Sequence, residues 1–427
     1  MDRGKILVCL LILGLFALNG YLTPLGAAEG DNAALIKVLQ DKKVLSEQEA
    51  EQLLKEVEKS SRATAEKGST KAPSGGEIQL PTALKGFRFS TTIFSEWNNL
   101  KPDDTASKNQ FTLNRAYLTL LKDVNPWLGV NLTADITSAP QRDTSTGSVS
   151  SSSQGWELRM KYAYVNLNLL GTNTLLGLVP TPSDAYDSAI WPYRVQGKHL
   201  LDDLSIQASA DYGLVNIGTF GGYMDDEYLQ YASKQFAGRW GGWMVGLFNG
   251  SGYTTSEANN NKVVSGLVYV RPLPDVPILK GLQLAYTGTY GKSNSTFATG
   301  PTTDYPDWQV NITQASLQHK WFTVMGQYFW GKATATSAEE NKRDAWLVDA
   351  FVRIPNLEKA RVFGKWYTHD PDTNTANNSY DTKIVGVSYD VSKEFMPFIA
   401  WEHRNYDTQT ASLKNYDKYQ IGFQLKF

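Results

Sequence analysis

The side chains of this 427-residue chain that could do chemistry are mostly without the neighbours that covalent chemistry needs. Its four histidines, His199, His319, His369 and His403, are scattered, with no metal-ligand spacing between them and no Gly-x-Ser-x-Gly elbow beside them. A Ser/His pair assembled across distant segments is the one hydrolytic arrangement left open. Gly291-Lys292-Ser293 has the tail of a phosphate-binding loop, but Tyr286 stands where the first Gly belongs and no helical pattern follows. Asp370-Pro371-Asp372-Thr373-Asn374 opens like a calcium loop. Thr375 replaces its turn Gly and Asp381 its terminal Glu, so a polar loop is the default reading. No metal and no cofactor is expected. The long segment 181–204 carries six charges of both signs: Asp184, Asp187, Arg194, Lys198, Asp202 and Asp203. Opposed acidic and basic rows of this kind orient water and polar solutes and sort them by size and charge.

Composition narrows the setting. Lys and Arg number 41 against 43 Asp and Glu, a formal charge of −2, which argues against a nucleic-acid partner. At 20% charged and 41% hydrophobic the chain is not compositionally disordered. The one cysteine, Cys9, excludes an intramolecular disulfide and Cys-rich zinc sites. A mean hydropathy of −0.35 with a single long apolar run excludes a polytopic helical membrane protein. It does not exclude a membrane β-barrel, whose strands give only alternate residues to lipid.

The N-terminus reads as a signal peptide over 1–28. Asp2, Arg3 and Lys5 precede an apolar stretch from Ile6 to Leu18, and small residues follow at Gly26, Ala27 and Ala28. Residues 29–59 carry the one helical periodicity: Leu35, Val38 and Leu39, then a Ser46/Glu49 capping box followed by Ala50, Leu53, Leu54 and Val57. The expectation is a short amphipathic helical segment, with a small oligomeric coiled coil as its sharper form. Residues 60–83, rich in Ser, Thr, Ala, Lys and Gly, read as a flexible linker.

From 84 to 427 the period is two. Sixteen segments are predicted as strands: 85–97, 109–122, 127–138, 156–169, 174–180, 205–221, 238–248, 262–272, 281–292, 308–319, 321–332, 343–354, 358–369, 381–391, 394–406 and 416–427. Their connections alternate between short turns and long polar loops. That alternation is what an antiparallel transmembrane β-barrel requires, and an even count leaves both termini on the short-turn side. Residues 223–237 are long where a short turn is due, which leaves eighteen strands as the alternative.

The faces fit a barrel with lipid outside and water inside. Trp346, Val348, Ala350, Val352 and Ile354 share one face of their segment, and Asp349 and Arg353 the other. Val362 and Trp366 oppose Arg361 and Lys365 in the same way. A sixteen-stranded barrel is too wide to fill with its own side chains, so the charged row belongs inside. By parity the inward charges are Arg88, Glu96, Asp135, Asp349, Arg353, Arg361, Lys365, Glu402 and Arg404, with Arg115 on a strand that changes face. Trp97, Trp127, Trp321, Trp330 and Trp366 fall at predicted strand ends, where interfacial aromatics sit.

The last segment alternates Tyr419, Ile421, Phe423, Leu425 and Phe427 with Gln420, Gly422, Gln424 and Lys426, and ends the chain on Phe427. It resembles the C-terminal signature by which bacterial outer-membrane barrels are recognised by their assembly machinery. Phe111-Thr-Leu-Asn-Arg115-Ala116-Tyr117, Gly177-Leu-Val-Pro180-Thr-Pro182, Trp191-Pro-Tyr193-Arg194 and Phe248-Asn249-Gly250-Ser-Gly252-Tyr253 resemble motifs of the phosphate-selective porin O and P family. That resemblance implies sixteen strands, a homotrimer in outer-membrane lipid and lipopolysaccharide, a helical segment in the periplasm, and a loop folded into the lumen, here 181–204. Residues 84–427 hold 31 bases and 32 acids, which sets this chain against the basic excess that phosphate selection needs. The expected function is therefore passive diffusion of ions and small hydrophilic solutes, with no enzyme activity. A substrate-specific anion or phosphate channel, a barrel enzyme and a secreted soluble β-rich binding protein are the rivals.

Overall fold

The computed structural model describes residues 86–142, 149–301 and 303–427. The signal peptide, helical segment and linker expected over 1–28, 29–59 and 60–83 lie outside the described residues.

Sixteen strands run in chain order: β1 Phe87–Pro102, β2 Lys108–Asn125, β3 Leu128–Arg142, β4 Val149–Leu169, β5 Thr172–Pro180, β6 Ala210–Phe220, β7 Gly241–Phe248 and β8 Val263–Val270. They continue with β9 Leu282–Lys292, β10 Asp307–Gln318, β11 Phe322–Lys332, β12 Lys342–Ile354, β13 Leu357–Asp370, β14 Tyr380–Tyr389, β15 Phe395–Tyr406 and β16 Tyr416–Lys426. Each pairs antiparallel with its sequence neighbours, and β1 closes on β16, from Thr92 opposite Lys426 to Pro102 opposite Tyr416. Closure pairs every strand on both sides, which an apolar surround demands of a polar backbone.

The sequence pattern and the strands agree element for element, although β1, β3 and β4 run further on the loop side than predicted, β4 starting at Val149 and not at 156. The sixth strand begins at Ala210, because 205–209 belong to a segment that turns into the barrel. The count is sixteen and not eighteen: in connection 221–240 the only pairing is the single bridge between Tyr223 and Gly238. Leu170-Gly171 joins β4 to β5 with φ of 53° and 75°, the paired left-handed turn that matches strand twist.

Outward rows are apolar. Trp346, Val348 and Val352 on β12, Val362 and Trp366 on β13, and Leu132 on β3 are exposed. Tyr328 stacks on Trp330 and Trp346 at ring distances of 5.4 and 4.4 Å, forming an aromatic band on the outer surface.

The inward rows correct the expectation of a uniformly wet face. Val215, Met244, Phe248, Leu267, Val310, Phe329, Leu347 and Phe351 point inward and are buried. They are dry because residues 181–209 cross the lumen and supply apolar partners, among them Tyr186, Ile190, Trp191, Tyr193 and Leu200.

Candidate functional site

The inner segment 181–209 starts where Pro180 ends β5. Pro182 opens helix α1, Pro182–Ile190, as the ring's fixed φ favours. A four-residue helix α2, Leu200–Asp203, follows. The two ends of the segment are tied into a neck: Thr181 N donates to Ser209 O at 3.2 Å, and Thr181 Oγ1 to Ala208 O at 3.0 Å. Trp191-Pro-Tyr193-Arg194 then performs two tasks. Trp191 and Tyr193 wedge against the wall, with Tyr193 stacked on Phe363 at 4.0 Å and its hydroxyl 2.8 Å from Ser388 Oγ. Arg194 holds the segment in shape through an ion pair to Asp184 and a 3.0 Å bond to Asp202.

Asp202 is a hub. Besides Arg194, Arg115 of β2 and Lys198 each approach it to 3.7 Å. The tip of the segment is tied to the far wall. Gln196 Nε2 donates to Glu402 Oε2 and to Gln420 Oε1, both at 3.2 Å. Gln420 Nε2 returns a bond to Gln196 O at 3.1 Å and donates to Glu96 Oε2 at 2.7 Å. Lys365 Nζ donates to Lys198 O at 3.2 Å. The segment is thus a chord anchored at β5/β6 and at β13, β15 and β16.

A cavity of about 610 Å³ lies beside residues 194–203, in the loop-side half of the lumen. Seven predicted residues converge on it: Glu96, Arg115, Arg194, Lys198, Lys365, Glu402 and Arg404. With Asp203 and Lys418, also on its wall, six bases and three acids line the cavity; Asp184 and Asp202, paired with Arg194 behind that lining, leave a local excess of one positive charge.

The other predicted residues lie elsewhere. Asp184 is buried in the neck with Arg194. Asp187 accepts a 2.6 Å bond from Gln327 Nε2, and burial, reinforced by the charge of Asp184, pushes its carboxyl well above the usual range. Asp349 is buried opposite Lys365 in register. Asp135 pairs with Arg159 at 2.8 Å, away from the cavity. Arg353 and Arg361 oppose each other in register and line a second chamber of about 170 Å³ towards the turn side. Arg88 lines neither space: it pairs with Asp123 at 2.6 Å at the exposed turn-side rim, because β1 runs out of lumen there. Along β16, Tyr419, Ile421, Phe423 and Leu425 lie on the outward row, and Phe427 pairs its backbone with Thr91.

Sequence parity missed Lys161, whose ammonium bonds Ser209 and lies 4.5 Å from the Tyr253 ring centre. A bulge causes this: Thr133 faces Tyr162 and Ala134 faces Met160, leaving Lys161 as the extra residue. A second bulge, between the pairs Phe94/Arg115 and Ser95/Leu113, turns Arg115 inward. In Phe248-Asn249-Gly250-Ser-Gly252-Tyr253, Gly250 N donates to Asp211 Oδ2 at 2.7 Å with φ 106°, a geometry that favours glycine.

The Ser/His arrangement left open by the sequence exists in part. Ser188 Oγ and His199 Nε2 are 2.9 Å apart. Burial first, then the charge of Arg194, holds His199 well below the ordinary histidine range, so its charged form is disfavoured. Among the described residues no carboxylate is hydrogen-bonded to the ring. No group of three His, Cys, Asp or Glu converges as a metal site among them either. Asp372 bonds its own loop, accepting from Asn374 N at 3.1 Å and Thr375 Oγ1 at 2.8 Å, and Lys292 pairs with Asp307 at 2.6 Å.

No protein-family model matches the chain, and no curated protein matches it. Solved structures do. The outer membrane channel DcaP of Acinetobacter baumannii is similar with a TM-score of 0.52 and 12% identity, over 80% of this chain and 97% of that one. OprB of Pseudomonas putida at high pH gives 0.53 and 10% identity, over 81% and 96%. OmpF of Salmonella typhi, in complex with daunomycin, gives 0.52 and 11%, over 80% and 97%. Likeness at such low identity establishes architecture: the chain has the sixteen-stranded fold of outer-membrane barrels.

Proposed function

We propose that this chain is a porin of a bacterial outer membrane, a water-filled passage for passive diffusion of ions and small hydrophilic solutes, narrowed by the inner segment 181–209. The observation that carries the reading is the charged cavity of about 610 Å³ inside a closed barrel whose outward rows are apolar. Its lining of six bases and three acids, with Asp184 and Asp202 paired to Arg194 behind it, keeps a slight positive balance that favours small anions over cations. The barrel as a whole is balanced, so the preference is local to the cavity. An anion or phosphate channel of the resembled family is the finer form of the same reading.

The resemblance also supports a homotrimer, a periplasmic location for 29–59, and delivery by the barrel-assembly machinery through Tyr419 to Phe427. A hydrolase reading rests on Ser188 and His199 alone; a channel needs neither to react. The test is the purified protein in planar bilayers. Ohmic unit currents with a reversal potential on the anion side support the proposal, and a folded barrel that passes no current refutes it.

A further inference from the structure

Connection 221–240 is the longest of the turn-side connections, and it folds into the barrel. Met224, Tyr228 and Phe236 are buried. The Phe236 ring stands edge-on to Tyr186 of α1 with centres 5.0 Å apart, so the connection meets the inner segment inside the lumen. The Tyr228 hydroxyl donates to Gln318 Oε1 of β10 at 3.2 Å.

Arg271, just after β8, holds it there. The residue is fully buried and has no carboxylate partner among the described residues. Its guanidinium donates to Gly238 O at 3.2 Å, Phe236 O at 3.4 Å, Lys280 O at 3.0 Å and the Tyr228 hydroxyl at 2.9 Å. It also lies 4.8 Å from the Tyr228 ring centre. A buried cation satisfied by neutral acceptors is tolerable only while those acceptors stay in place. Gly238 lets the connection close back onto β7: a Cβ there would stand 1.9 Å from Gly241 O.

The connection also faces the solute path. Tyr231 and Ser233 line the turn-side chamber of about 170 Å³, with Pro192 of the inner segment and Arg353 on its other walls. We infer that connection 221–240 is a second constriction, built from the turn side, and that Arg271 is the residue that positions it. This rests on the reading of the lumen as a diffusion path. The loop-side cavity selects, and the turn-side chamber sets the exit.

Two variants of the full chain test it in planar bilayers. The one native cysteine is Cys9, so Tyr231→Cys in a Cys9→Ser background offers one thiol, and a sulfonated methanethiosulfonate reagent should lower the unit current. Arg271→Met should raise the unit current and the size of the largest neutral sugar admitted in liposome swelling. If Arg271→Met does not fold, as a heat-modifiable gel band reveals, the thiol experiment decides alone. A labelled Tyr231→Cys barrel with unchanged current overturns the inference. A wild-type barrel without current overturns the porin reading beneath it.

Discussion

Arg404 and Asp203 stand 3.6 Å apart across the lumen, and the Tyr367 hydroxyl bridges them, accepting from Arg404 at 2.5 Å and donating to Asp203 at 2.6 Å. Strand β15, strand β13 and helix α2 therefore meet at one charged node on the cavity wall. Arg404→Gln removes one of six bases there and loosens the tip of the inner segment. The expected result is a reversal potential shifted away from anions under a KCl gradient, with noisier open-channel current.

Arg194 carries a heavier load, since two carboxylates depend on it. Arg194→Met leaves Asp184 and Asp202 without their closest cation in a largely desolvated site. Breaking such a pair costs about 3 kcal/mol or more. The loss should appear as a lower temperature for conversion of the folded gel band to the unfolded one, with the strands still formed below it.

Acid should loosen the inner segment through His199. Its folded-state pKa is depressed by burial, with Arg194, Lys365 and Arg115 opposing the charged ring and Asp202 favouring it. The sign follows: the stability it contributes is complete above the unfolded value near 6.5 and is lost as pH falls below it. Current noise should grow as pH drops from neutral towards 5, roughly over the range where a free imidazole charges. His199→Gln should flatten that dependence; an unchanged profile would assign the noise to another group.

One outward and one inward residue test sidedness. Val348 of β12 faces outward, and Asn114 of β2 is solvent-exposed on the cavity wall. Val348→Arg should cost roughly 2–4 kcal/mol if it sits near the bilayer midplane. Asn114→Arg should fold and strengthen anion preference. Equal destabilisation by both would contradict lipid outside and solute inside.

Phe427 should matter for assembly and not for transport. Phe427→Ala leaves the backbone pairing with Thr91 intact and removes only the outward ring. The yield of folded barrel in cells should fall, while the unit current of the barrels that do fold stays the same.

Strand positions were legible because an antiparallel wall repeats every two residues and its connections alternate in length. Glu96, Lys365, Glu402 and Arg404 followed from that parity. Lys161 did not, because a bulge adds a residue and reverses the count. Gln196 and Gln420 carry no charge to draw attention, yet they fasten the inner segment to the far wall. The dry inward patch left a trace: Trp243-Met244-Val245-Gly246-Leu247-Phe248 is apolar on both faces, as a strand covered on both sides must be. Connection 221–240 left only its length. Nothing local in it declares that Arg271, far along the chain, gathers its carbonyls.

A ring braced by a strut resists becoming oval. The inner segment is fixed at its neck to β5 and β6 and at its tip to Glu402 and Gln420. Squeezing of the wall by lateral pressure must therefore compress or stretch this hydrogen-bonded chord before it can alter the aperture. Changes in bilayer tension or acyl-chain order should leave the unit current nearly untouched, while cutting the strut at Gln196 should make the same barrel sensitive to the mechanics of its surrounding lipid.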